Sequence, residues 1–395
     1  MTRLILFDDN QSNLGPLGDL RCSFQQRTGV FTGLGRAERS FATTAELHVL
    51  DGDSTLCAEQ TRRSIADPDD DSEAILVNGR LLTGGRVDAP APGTAEVNED
   101  GSVSIARLNG TSLSEFLRTG ALADSVTTEP STHQCFTRPW QVLDHLSERI
   151  ARDIEQVDST EGVPQHVHLV GDHPCVIESG VAIGPGTVLD TTRGPILLSR
   201  GCMVGANAVL HGPCSVGLDC VVSDHALLKV GTSLGPGCKV GGEVGNTIFQ
   251  AHANKVHDGH LGDSLIGEWV NFGAGSVNSN LLNTYGDVTM RLEPDGSNER
   301  TGRQFMGCVV GDHVKFAIGT RIMTGTTIGT GSMIAAATPP PACTPRFTWL
   351  TDAGSRTYQW SKFSSVLATV LARRAMKPGD ALLARLESIH GRSTT

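Results

Sequence analysis

At 395 residues, with 46 glycines and only 5% aromatic residues, the chain is too long for one ordinary core and rich in turns, so two or three domains are expected. Its 43 acidic residues outnumber 32 basic ones, and the formal net charge of −11 argues against nucleic acid or an anionic membrane as main partner. Phosphorylated small molecules stay open, because a local basic cluster can still serve one. No apolar run approaches the ~20 residues of a membrane helix, and Met1–Asn10, with one arginine before Asp8-Asp9, is unlike a signal peptide; a cytoplasmic protein is expected.

Residues 3–7, Arg-Leu-Ile-Leu-Phe, read as a buried strand broken by Asp8-Asp9-Asn10. The loop-like segment 13–21 follows and leads to Arg27 and Gly29. A strand that ends in a polar loop and opens toward a helix is how α/β folds build nucleotide sites at strand carboxyl ends. Arg21 and Arg27 either bind phosphates there or are surface or ion-paired arginines. Leu47–Leu50 reads as a second strand ending in Asp51-Gly52-Asp53, whose carboxylates either hold Mg²⁺ or form a plain acidic turn. A helix over 54–65 and a strand at 74–77 come next, with Asn78-Gly79-Arg80 as its turn. The span 88–105, rich in Pro, Gly, Ala and acid, reads as a loop or weak hairpin. Leu143, Leu146, Ile150 and Ile154 recur at three to four, predicting an amphipathic linker helix over about 140–156 within an α/β domain of residues 1–164.

From 198 to 245 the pattern changes. Leu198, Val204, Leu210, Val216, Val222, Leu228, Leu234 and Val240 recur every sixth residue, which fits neither a helix nor a plain strand. It fits a solenoid in which each hexapeptide is one side of a coil with its aliphatic residue inward. Four residues on, Cys202, Ala208, Cys214, Cys220, Ala226, Thr232 and Cys238 supply the small side chains a tight corner needs. Ile177, Ile183 and Leu189 extend the series upstream, with a three-residue slip at 192–195. Ile266, Phe272, Val310, Phe316, Ile322, Ile328 and Ile334 extend it downstream. The coil is expected to span 165–338 and end at Pro339-Pro340-Pro341, with the polar stretch 281–305 thrown out as a loop. Cys202, Cys220 and Cys238 should stack as a ladder of buried thiols, disulfides or a metal being the alternatives. Residues 339–395 hold two short helical patterns, about 361–374 and 379–389, expected to cap the rod or pack on a neighbouring subunit.

The irregular stretch 253–280 carries the best chemistry. A histidine titrating near neutrality can take a proton from an amine or hydroxyl during acyl transfer. His252, His257 and His260 could equally be loop histidines, and their H-x4-H-x2-H spacing is weak for zinc. Asn271 and Asn280 lie one and a half hexads apart, so stacking alone does not set them side by side.

Residues 165–338 resemble the left-handed parallel β-helix of the hexapeptide-repeat acyltransferases. The nearest likeness is the acetyltransferase half of the bifunctional N-acetylglucosamine-1-phosphate uridyltransferase/glucosamine-1-phosphate acetyltransferase. In that family a loop histidine is followed fourteen residues on by Asn-x-Gly-Ala-Gly and nine further by another Asn; His257, Asn271-Phe272-Gly273-Ala274-Gly275 and Asn280 keep both spacings. The resemblance implies that His257 is the general base, that Asn271 and Asn280 touch the sugar, and that acetyl-CoA, the acyl donor, lies along the later coils between subunits of a homotrimer. The family's lysine in Glu-Val-Lys-Asn is Gly245 in Glu243-Val244-Gly245-Asn246, and its tyrosine is His260. Lys229, Lys239 and Lys255 are the replacements to consider for the sugar phosphate.

The whole chain resembles sugar-nucleotidyltransferase-like proteins related to that bifunctional enzyme. Phe7-Asp8-Asp9, Leu14-Gly15-Pro16-Leu17, Arg21, Arg27, Asn78-Gly79-Arg80 and Arg138-Pro139-Trp140 carry that likeness. It implies nucleotidyl transfer from a nucleoside triphosphate to a sugar 1-phosphate with Mg²⁺, with Asp8, Arg21, Arg27, Asn78 and Arg80 as nucleotide-binding residues. The glycine-rich phosphate cradle of ordinary sugar nucleotidyltransferases is replaced by Leu6-Phe7-Asp8-Asp9-Asn10-Gln11-Ser12-Asn13. Two alternatives follow: only the β-helix is catalytic, or the protein is a non-enzymatic trimeric scaffold that binds sugar nucleotides.

Overall fold

The structure, a computed structural model, describes residues 2–50 and 54–393. The N-terminal domain contains β1 (Arg3–Asp8), α1 (Gly33–Phe41), β2 (Glu46–Val49), α2 (Ser54–Thr61), β3 (Ala74–Asn78) and β4 (Leu81–Leu82). It continues with β5 (Thr94–Val97), β6 (Val103–Leu108), α3 (Gly110–Thr119), β7 (Thr127–Pro130), β8 (Gln134–Cys135) and α4 (Leu146–Ile154). The main sheet runs β2-β1-β3-β6-β5-β7, with β1 parallel to both neighbours. The unbroken apolar run of β1 is explained by helices on both faces. Leu4 and Leu6 pack with Leu34 and Ala37 of α1, while Ile5 and Phe7 pack with Leu113, Phe116 and Leu117 of α3.

Of the loop or weak hairpin expected over 88–105, the structure has the hairpin, β5 against β6, and β6 sits inside the sheet against β3, with Ile105 and Ala106 fully buried. The expected helix over about 140–156 is two pieces, a 3₁₀ turn at Pro139–Leu143 and α4, separated where His145 turns left-handed at φ 53°. Helix α1 was not visible in the sequence. Thr32 caps it through its hydroxyl, which accepts from Gly35 N at 3.1 Å, and beside Leu34 and Ala37 it buries a charged residue, Arg36.

The C-terminal domain is a left-handed parallel β-helix with three faces. Every member of the hexad series 198–240 is buried in one continuous core, as are the small corner residues. Ser215 stacks on Ser233 eighteen residues on, one full coil, while upstream Thr191 reaches Val170 across twenty-one, the slip expected at 192–195. The cysteine ladder is present: Cys202, Cys220 and Cys238 are buried, and the Cys220 thiol donates to Gly235 O at 3.0 Å. Gly235 is required there, because a Cβ would lie 1.6 Å from Gln250 O.

The first face, nine strands from Cys175–Ile177 to Cys343–Thr344, is buried on both sides. Outward-pointing Val176, Leu197, Ile248, Leu265 and Val309 pack against Leu14, Leu17, Trp140, Val142, Leu146 and Ile150 of the N-terminal domain. The stretch 281–305 is not thrown free. It forms a small hairpin, Thr289–Met290 against Glu299–Arg300, and buries Val288, Met290 and Leu292 in that same junction. The coil also runs past the triple proline: Cys343–Thr344 extends the first face and Thr348–Thr351 the second, where Gly354–Thr357 folds back antiparallel. The tail helices α5 (Trp360–Ala372) and α6 (Asp380–Arg392) pack on Phe347, Tyr358, Trp269 and Leu20. Among the described residues no helix is long and apolar enough to cross a membrane.

The charge that holds the N-terminal domain together is Asp153 of α4, fully buried, which accepts from Arg36 Nε (3.0 Å) and Nη2 (2.7 Å), Val30 N (2.9 Å) and Gly85 N (3.0 Å). Asp153→Ala would strand a buried guanidinium and two amides, so unfolding in urea should show a loss of about 3–5 kcal/mol. A loss under about 1 kcal/mol would mean that water reaches Arg36.

Candidate functional site

The corner between the second and third faces carries the acyl-transfer candidates. His257 is exposed in the loop joining the second-face strand Asn254–Lys255 to the third-face strand His260–Gly262. That loop is pinned from beneath: Lys255 is buried, and its ammonium donates to Gly241 O (3.0 Å) and His257 O (2.7 Å). Burial lowers the Lys255 pKa to about 8. Gly259 lets the loop hug the next coil, since at φ 126° a Cβ would lie 2.2 Å from Ser276 O. One coil on, the same corner is Gly273-Ala274-Gly275, small and largely open to solvent.

On the third-face side, register places Glu243 beside His260. The Glu243 carboxylate takes the Lys229 ammonium and lies 3.2 Å from His260 Nδ1. Its pKa is held below the usual carboxylate range, first by the Lys229 hydrogen bond, with His260 adding to it. A Cβ on Gly245 would meet Lys229 Cβ at 3.0 Å, so the Lys229 stem fills the space above the position where the acyltransferases carry their lysine. Asn280 Nδ2 donates to Asp263 Oδ2 (2.6 Å), and Asn246 Nδ2 donates to Asp263 Oδ1 (2.7 Å). Asn280 Nδ2 and His260 Nε2 converge over Gly262, each 2.7 Å from a Cβ built there.

Asn271 lies on the other side of the corner, its backbone bridged between Asn254 and Lys315 on the second face. The two asparagines therefore flank the His257 loop from different faces. Lys239 is also on the second face, while Lys255 points inward. His252 does not join the other histidines: it stacks on Trp269 at 4.5 Å, and burial lowers its pKa. Among the described residues no three His, Cys, Asp or Glu side chains form a metal cluster. Sequence reasoning missed Glu243 and Asp263 as organisers, because both act across coils.

In the N-terminal domain a cavity of about 530 Å³ opens at the carboxyl ends of β1 and β2, lined by Asp8, Asn10, Ser12, Arg21, Ser23 and Leu50 among others. Arg385 of α6 and the disulfide-bonded pair Cys22–Cys57 complete its wall. Nothing in the local sequence around Cys22 and Cys57, 35 residues apart, points to that disulfide. Asp8 accepts from Asn10 N (3.0 Å) and Ser23 N (2.6 Å), shaping the loop at the strand end. Arg21 reaches the wall but is already engaged by the β-helix, donating to Asp312 Oδ1 at 2.5 Å with Glu268 at 3.4 Å. Arg27 is buried at the junction, where its guanidinium donates to Val30 O and desolvation lowers its pKa. Arg80 is fully buried and donates twice to Asp9 (2.7 and 2.6 Å), and Asn78 donates to Asp9 and Val103 O. Arg27, Asn78 and Arg80 thus lie behind the cavity rather than in its wall. Asp51 and Asp53 lie outside the described residues.

Residues 4–161 match the family model described as sugar nucleotidyl transferase. The chain is similar to the bifunctional protein GlmU of Methanococcus vannielii, 33% identical over 94 residues, covering 24% of this chain and 22% of that protein. It is 32% identical to GlmU of Legionella pneumophila strain Corby over 188 residues, 43% of this chain and 37% of that protein. The chain therefore spans well under half the length of these relatives. Among solved structures, a hexapeptide transferase family protein from Anaplasma phagocytophilum matches at TM-score 0.27 and 12% identity, over 58% of this chain and 93% of that one. Over residues 4–161 the chain is thus similar to sugar nucleotidyl transferases. More particularly, parts of it are similar to GlmU proteins, and its second domain is a parallel β-helix built on a six-residue repeat.

Lysine 255 supplies a pH test of the loop. Its folded pKa, about 8, lies below the ordinary 10.5, so between these values the unfolded chain binds the extra proton and stability contributed by this site rises with pH. The stability difference between wild type and Lys255→Met should therefore shift in favour of wild type from pH 8 to 10, measured by urea unfolding. A flat difference would place the ammonium in water.

Proposed function

We propose that the β-helix transfers an acyl group from acetyl-CoA to an amino or hydroxyl group of a sugar phosphate or nucleotide sugar, with His257 as general base. The carrying observation is the placement of an exposed His257 at a corner flanked by His260, Glu243 and Asn280 on one face and Asn271 on the other. His257 removes the proton from the acceptor as its nitrogen or oxygen attacks the thioester carbonyl. The tetrahedral oxyanion collapses, the C–S bond breaks, and the proton held on His257 passes to the departing thiolate. Lys255 acts as a positioning residue by holding the His257 carbonyl. Lys229 or His260 contacts the acceptor in place of the lysine and tyrosine of the acyltransferases. A homotrimer in the cytoplasm, with coenzyme A between subunits, is the assembly this reading carries.

For the N-terminal domain we propose nucleotidyl transfer from a nucleoside triphosphate to a sugar 1-phosphate with Mg²⁺, in the cavity at the ends of β1 and β2. A second reading has its own support. Arg21 is ion-paired with Asp312 and Glu268, and Arg80 with Asp9, so neither charge is free to hold a triphosphate. On that reading the N-terminal domain binds ligand or sets the assembly, and only the β-helix is catalytic.

His257→Ala should lower kcat for acyl transfer about 10²–10⁴-fold while melting temperature and oligomeric state stay unchanged; an unchanged rate removes His257 as base. Pyrophosphate release from a triphosphate and sugar 1-phosphate should be indifferent to that substitution. A ligand at a hundred times its Kd adds about 2.7 kcal/mol to stability. A thermal-shift panel of acetyl-CoA, UTP, dTTP and GTP with sugar phosphates and Mg²⁺ therefore separates the readings. Stabilisation by acetyl-CoA alone favours the silent N-terminal domain.

A further inference from the structure

The second face carries a cavity that neither proposed reaction uses in full. Lys239, Asn254, Asn271 and Lys315 form one outward column in register across successive coils. Helix α5 and the residues after it lie over this column, so that Val366, Val370, Arg373 and Arg374 face Lys239 and Lys315 across about 620 Å³. Val256, Trp269 and His252 complete the lining.

The cavity's charge is one-sided. Four permanent or lysine cations and a histidine line it, and no carboxylate does, in a chain whose acids outnumber its bases 43 to 32. Among the described residues, Lys239, Lys315, Arg373 and Arg374 take part in no ion pair within 4.0 Å, whereas Arg3, Arg21, Arg36, Arg80 and Arg346 all do. The Lys315 ammonium donates to Trp269 O, and burial drags its pKa to about 8. Arg374 donates to Gly237 O at 3.1 Å. Asn254 Oδ1 is buried and accepts nothing. Cations gathered in a partly desolvated wall without counter-charge repel one another and leave donors unspent, a cost that a bound anion removes.

We infer that this cavity binds a phosphorylated small molecule, with the phosphate held by Lys239, Lys315 and Arg374. Its carbon skeleton lies against Val256, Val366 and Val370, and a ligand hydroxyl donates to Asn254 Oδ1. The site is distinct from the His260–Glu243–Asn280 side of the corner, where Lys229 is neutralised by Glu243. Asn271 belongs to its wall, and Val256 precedes His257, so the carbon-skeleton end of a ligand here reaches toward the acyl-transfer corner. Two sources share this chemistry: the 3′-phosphate of coenzyme A and the phosphate of the acceptor sugar. The tail helices then have a binding role in addition to capping the rod.

The test is calorimetric titration of the full chain with inorganic pyrophosphate, coenzyme A, dephospho-coenzyme A and glucosamine 1-phosphate, in wild type, Arg374→Glu and Lys239→Glu. Lys315→Met serves as a third variant should either reversal fail to fold. Pyrophosphate should bind wild type and weaken at least about tenfold in each variant with the ligand-free melting temperature kept, as expected for loss of a charge-assisted contact. A wild-type preference for coenzyme A over its dephospho form that vanishes in the variants assigns the site to the donor. Weakened glucosamine 1-phosphate with unchanged coenzyme A assigns it to the acceptor. Absence of binding by every phosphorylated probe, or affinities that none of the variants change, overturns the proposal. His257→Ala should leave pyrophosphate affinity intact, so failure of the acyl-transfer reading and failure of this one are told apart.

Discussion

The constraint on which the rest depends is that the first face of the β-helix is dry on both sides. An isolated coil needs apolar residues only inward, and its outward positions are free to be polar. Here Leu197, Ile248, Leu265 and Val309 point outward and are covered by the N-terminal domain. Several polar groups on or beside the same face find partners across the junction. Ser233 donates to Gly29 O (2.6 Å), Thr330 to Pro16 O (3.1 Å), and Gln250 bonds both Gln26 (3.1 Å) and Arg27 N (3.0 Å). Buried polar groups without such partners would each cost about 1–3 kcal/mol, so the match fixes one docking geometry. The segment 22–30 gives its polar groups to this contact, which is why Arg27 is held away from solvent, while Arg21 is held by Asp312 and Glu268.

That docking also sets where chemistry can occur. With the first face covered, the second and third faces and their shared corner remain for ligands. His257 stands at that corner. The loop bearing it is fixed by a buried lysine rather than by its own hydrogen bonds. The corner below it is kept narrow by Gly273 and Gly275, so a linear ligand can run along successive coils. The two faces beside it differ in character: the third is a paired network of Lys229, Glu243, His260, Asp263 and Asn280, and the second is unpaired and basic.

What the sequence made legible follows from range. The hexad repeat was readable because each side of a coil is set by its own six residues, and the inward series is buried without exception from Leu198 to Val240. Strands β1 and β3 were readable as short apolar runs. Strand β6 was hidden because its Val103 and Ile105 follow a stretch of proline and acid, and α1 because an arginine stands among its few buried residues, neutralised by Asp153 from far along the chain. The site divides likewise. The spacing of His257, Asn271 and Asn280 is local and visible. Lys229 reaching Glu243 fourteen residues on depends on a coil shorter than eighteen, which no repeat count predicts. The triple proline looked like a terminus, but a coil corner needs no amide at those positions, so the ladder passes over them.

The antiparallel return of Gly354–Thr357 on Thr348–Thr351 has a consequence for the molecule's neighbours in solution. A stack of parallel strands ends in a row of bare amides and carbonyls that invites the next copy to continue the stack, the geometry from which fibres grow. A strand running the other way presents the wrong pattern for a parallel successor, and α5 and α6 cover the core behind it. The chain thus ends its own polymer after one molecule, and the length of the rod is decided by a turn rather than by the repeat.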